Sequence, residues 1–117
     1  MGVSQGSTSQ GVLTRELKQA SVVPVPSIKA ASEMLAQGKL DAFATNKAIL
    51  FEMADGLPGA KVLPGRWGLE HFALGIPKGR DPVVPYLARF ADAAMREGVV
   101  SRAVERAGLR GTVAGAP

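Results

Sequence analysis

An α/β fold built on a mostly parallel sheet is the class this chain predicts, and three observations carry it. Short apolar, strand-like runs alternate with stretches of helical spacing from residue 2 to residue 77. The run Ser27-Ile28-Lys29-Ala30-Ala31-Ser32-Glu33-Met34-Leu35-Ala36-Gln37-Gly38 has a serine suited to an N-cap and a glycine suited to a helix stop. Glycines and hydroxyl side chains sit between the first apolar run and the first helical one, as in a strand-to-helix turn. Alternation of this kind argues for parallel strands with helices on both faces.

The elements follow in order. Gly2-Val3-Ser4 opens as a strand, a turn follows, and residues 12–18 form a helix with Leu13 and Leu17 on one face. Residues 21–26 read as a short strand that Pro24 and Pro26 confine to an edge or a strand end. The helix after Ser27 places Ile28, Ala31 and Leu35 together. Residues 40–45 form a compact apolar strand, and Asn46 caps a helix over residues 47–54. Gly56-Leu57-Pro58-Gly59 is a turn, Lys61-Val62-Leu63 a minor strand, and residues 64–68 a loop containing Trp67. Residues 71–77 read as a final strand closed by Pro77. Asp81-Pro82 opens a helical region in the order of cap and then proline, with Val83, Leu87, Phe90 and Ala94 on one face. Gly98 separates it from a second helix carrying Val100, Ala103, Val104 and Ala107, and residues 111–117 read as a disordered tail.

The turn at residues 2–11 is where chemistry is expected. Helix-start amides lack intrahelical partners, Gly6 allows close approach to the backbone, and Ser7 and Thr8 can cap the helix or donate a hydroxyl. Such a place attracts a carboxylate, phosphate or sulfate. A phosphate-cradling P-loop needs a lysine before the Ser or Thr of the helix start, and none is present. Gly2-Val3-Ser4-Gln5-Gly6 also fits G-x-S-x-G, with Asp41 or Asp55 and then His71 in the chain order of a hydrolase triad. An elbow needs a strand within a larger sheet ahead of its serine, and only Met1 precedes Gly2, so a catalytic role is not expected.

The 117 residues suffice for one small domain, and 46% of them are hydrophobic with few aromatics. No apolar run approaches the roughly 20 residues that cross a bilayer, and no charged start followed by an apolar segment marks a signal peptide. Absence of cysteine removes disulfides and thiolate metal sites. With one histidine as well, no metal site is expected. The formal charge of +4 is spread along the chain without a basic face or stacking aromatics, so nucleic acid is not an expected partner.

Gly2-Val3 and Gly6-Ser7-Thr8 opening a helix form a recognisable order with Ala30-Ala31 through Leu35 and Gly38, and with Leu40-Asp41-Ala42-Phe43 ending at Asn46. Phe72-Ala73-Leu74-Gly75-Ile76-Pro77-Lys78-Gly79 then precedes a terminal helix pair. This order resembles the bacterial family 3 solute-binding proteins, the type II periplasmic binding proteins of amino-acid ABC transporters, over their second lobe and C-terminal return. The resemblance implies a three-layer sandwich with a mostly parallel sheet and one antiparallel strand. It divides the chain into a ligand-binding lobe at residues 1–79 and C-terminal helices at 80–110, which in the family pack on the first lobe. It implies a periplasmic protein with no cofactor that takes an amino acid or related carboxylate and serves an ABC transporter permease.

By position, Gly6, Ser7 and Thr8 look like the family's contacts to the ligand carboxylate, with Ser4 beside them. Asn46 stands where amino-acid binders usually carry an aspartate for the ammonium. An amide orients an ammonium without neutralising it. The stripe on the C-terminal helices has no partner lobe in this chain, so a homo-oligomer formed through those helices is expected. Two other readings stand beside this one: a small enzyme on the same fold, either a dehydratase or a serine hydrolase, and an oligomerising domain that has lost its ligand. Ser7, Thr8 and Asn46 also have a plain reading as helix caps. His71 reads as a surface or edge residue and Asp41 as part of a surface turn.

Overall fold

The structure, a computed structural model, describes residues 1–113. They divide into two compact units, Met1–Pro64 and Gly65–Pro117, of which the second is described to residue 113. The first unit is α/β. Strands β1 (Gly2–Ser4), β2 (Val23–Val25) and β3 (Phe43–Ala44) alternate with helices α1 (Thr8–Glu16), α2 (Ile28–Ala36) and α3 (Lys47–Asp55). The sheet has the order β2-β1-β3 and both pairings are parallel, with Val3 opposite Pro24 on one side and Ala44 on the other. Pro24 lies in β2 at the sheet edge, where its missing N–H faces no strand, as expected from the sequence.

Adjacent residues of a strand point to opposite faces, and two apolar clusters result. Val3, Leu13 and Ala44 form one, with Met1, Leu17 and Val22 packed against it. Val25, Ala31, Leu40, Phe43 and Met53 form the other, with Ile28, Leu35, Ile49 and Leu50 around it. β3 therefore divides its side chains, Phe43 going to the α2 and α3 cluster and Ala44 to the α1 cluster. Gly2 is required by close approach, because a Cβ there would stand 2.6 Å from Leu40 Cδ1 and 3.0 Å from Phe43 Cδ2.

Each helix of this unit starts where a side-chain oxygen answers a free amide. Ser7, Ser27 and Asn46 are the N-caps of α1, α2 and α3, accepting from the amides of Gln10, Ala30 and Ile49. Helix α1 begins at Thr8, earlier than the apolar spacing of residues 12–18 indicates, because Ser7 supplies its cap. Helix α2 runs between the expected serine and glycine, with Gly38 at a φ of +72°.

Two expected strands are absent among the described residues. Lys61-Val62-Leu63 pairs with nothing, and neither do residues 71–77, so the sheet has no antiparallel member. The alternation at 71–77 has the right period, but a strand is stable only where a partner edge receives its backbone bonds. Phe72 is 93% exposed and Leu74 59% exposed.

The second unit contains a 3-10 turn (Asp81–Val83) followed by helices α4 (Val84–Arg96) and α5 (Val99–Ala107). Asp81 lies within the turn and makes no side-chain cap, in contrast to the expected order of cap and then proline. Neither α4 nor α5 has a buried residue, and Phe90, Met95, Val99 and Val100 are exposed. An ion pair of Arg96 Nε with Asp92 Oδ2 at 3.0 Å joins successive turns of α4 on its exposed side. Both side chains are solvated, so it adds at most a few tenths of a kcal/mol. Residues 111–113 carry no helix or strand, and the remainder of the expected tail, 114–117, lies outside the described residues.

Candidate functional site

Three parallel strands end at one edge of the sheet, and each is followed there by a helix start: Ser7 after β1, Ser27 after β2 and Asn46 after β3. Helix α1, leaving β1, packs in the Val3 cluster, whereas α3, leaving β3, packs in the Phe43 cluster. The chain thus departs to opposite faces from two neighbouring strands. That is the switch-point arrangement in which open α/β sheets leave a crevice beyond their carboxyl ends. Ser4, Gly6, Ser7 and Thr8 stand at the end of β1 and Asn46 at the end of the neighbouring β3, so all the expected site residues belong to one edge.

The turn after β1 is held by its own atoms. The Ser7 hydroxyl donates to the Ser4 carbonyl at 2.7 Å, and Ser7 Oγ accepts from the Gln10 amide at 3.2 Å. The Ser7 amide donates to the Ser4 carbonyl at 3.2 Å, and the Gly6 amide donates to Gln10 Oε1 at 2.7 Å. Gly6 has a φ of +74°, a left-handed conformation in which any side chain would be strained. Ser7-Thr8-Ser9-Gln10 is therefore a variant of the capping box, in which the glutamine reaches one residue further back than the cap amide. The S-x-x-Q spacing was readable in the sequence, and the role of Gln10 was missed there.

Of the amides of Gly6, Ser7, Thr8 and Ser9 in this turn, those of Gly6 and Ser7 are thus occupied internally. The amides of Thr8 and Ser9 make no hydrogen bond among the described residues. Thr8 is exposed and Ser9 is 9% exposed, so the Thr8 amide is the more accessible of the two. Asn46 Oδ1 accepts from the Ile49 amide at 3.0 Å, which is its plain role as a cap. Its side-chain nitrogen makes no hydrogen bond among the described residues.

Charge at this edge has one sign. The first turns of all three helices lack an acidic residue, while Lys29 and Lys47 stand in those of α2 and α3. Two lysines near positive helix ends gain nothing from the helix dipoles, so the arrangement favours an anion over a cation. These lysines were not singled out from the sequence, since each reads there as an ordinary solvated charge.

The hydrolase constellation does not form within the first unit. Gly2 lies opposite Phe43, so Asp41 precedes β3 at the amino end of the sheet, while Ser4 ends β1 at the other. At about 3.3 Å per strand residue the two stand on the order of 10 Å apart. Asp55 ends α3, which returns from the carboxyl edge, and so it too lies towards the amino end. His71 belongs to the second unit and is exposed, as expected of a surface residue. Among the described residues no group of three or more His, Cys, Asp or Glu side chains could hold a metal ion.

The Ser7 hydroxyl joins β1 to α1 through its two bonds, and Ser7→Ala should therefore cost about 1 kcal/mol, with 2 as the upper end for a helix cap. Urea denaturation of the variant checks this; an unchanged midpoint would mean that Gln10 alone fixes the turn. Comparison with protein-family models, with curated protein sequences and with solved structures gives no match to this chain.

Proposed function

We propose that this chain is the solute-binding lobe of an amino-acid ABC transporter substrate-binding protein, which holds the carboxylate of its ligand at the α1 N-terminus. One observation carries the reading: unpartnered helix-start amides at Thr8 and Ser9 beside an acid-free, lysine-bearing edge at a sheet switch point. Ser4, Gly6, Ser7, Thr8 and Asn46 form the ligand-facing set. The edge takes the carboxylate end of an amino acid or related carboxylate, and Asn46 can orient an ammonium there without neutralising it, because no carboxylate side chain stands in the three first turns. The transporter, its permease and the periplasm enter through the sequence resemblance. So do the three-layer sandwich and the absence of catalysis and cofactor. Separation of Ser4 from Asp41 and Asp55 weighs against the serine-hydrolase alternative.

Amide-resolved NMR during titration with acetate, succinate, glycine and alanine tests the reading. The Thr8, Ser9, Lys47 and Ala48 amides should shift together. Affinity should lie in the millimolar range or weaker, about −4 kcal/mol, since half a cleft leaves one side of the ligand in water. In Gln10→Ala, which removes the internal acceptor, the Gly6 amide should join them. Saturating carboxylate that leaves these amides unmoved would overturn the proposal.

Self-association through α4 and α5 belongs to the same reading. Phe90 is 56% exposed and Val100 41% exposed, and burying the exposed part of each such side chain is worth roughly 1 kcal/mol. Light scattering should give a dimer or larger species at tens of micromolar, which Phe90→Glu should dissociate. A monomer at that concentration would rule the association out.

A further inference from the structure

We draw no further inference here: the strongest candidate, the exposed apolar surface of the α4 and α5 helices around Tyr86, Phe90, Met95 and Val100, carries nothing beyond the self-association already proposed, because nothing in the structure shows what else covers it.

Discussion

Val3→Asp should unfold the Met1–Pro64 unit. Val3 is fully buried at the centre of the middle strand, in an apolar cluster with Leu13 and Ala44. An unpaired buried charge costs several kcal/mol even after the site relaxes or the group takes up a proton. A domain below about 70–80 residues rarely has more than 3–5 kcal/mol to lose. The expected result is collapse of amide dispersion for Val25, Ala31 and Ala44, with loss of far-ultraviolet helical signal. Val3→Ile, which keeps the apolar character and the β-branched shape, should retain the folded spectrum. A folded Val3→Asp protein with an unchanged urea midpoint would show that the sheet centre is open to water.

Phe43→Ala should be the second largest loss, about 3 kcal/mol or more, by removing the aromatic ring from the Val25, Leu40 and Met53 cluster and leaving a cavity. The ring also explains the glycine opposite it, because a Cβ on Gly2 would press on both Phe43 and Leu40. Gly2→Ala should therefore cost about 1–3 kcal/mol in the native background, through overpacking. In the Phe43→Ala background part of that cost should disappear, since one of the two opposing side chains has gone, and the remainder reports on Leu40. Chemical denaturation of the two single variants and the double variant measures the coupling. Strict additivity would mean that Phe43 already moves aside freely.

The alternation of elements, the edge position of Pro24, the limits of α2 and the caps Ser7, Ser27 and Asn46 were legible because each depends on interactions within a few residues. Ser27 and Gly38 bracket α2 through local backbone geometry, which neighbouring residues alone can dictate. The strand at 71–77 was misread for the opposite reason. Its alternation of Phe72, Leu74 and Ile76 states only that a pleated partner would be accommodated, and no described strand receives it. Likewise the run from Leu40 to Thr45 promised a longer strand than β3, because apolar content marks burial and not ladder length.

At the site, the residue types and their place at helix starts came from the sequence by itself, since capping preferences and the conformational freedom of Gly6 are local properties. The folded structure decided which amides stay open, through contacts three and four residues apart within the turn. Gln10 turns back onto the Gly6 amide and Ser7 closes onto Ser4, while the Thr8 and Ser9 amides make no hydrogen bond among the described residues. It also decided that Asn46 belongs beside this turn, across a parallel pairing of strands some forty residues apart in the chain, and that Asp41 lies at the other end of the sheet. Strand order and the face each helix takes follow from how separate apolar stripes bury one another. That is a non-local balance which no single segment encodes.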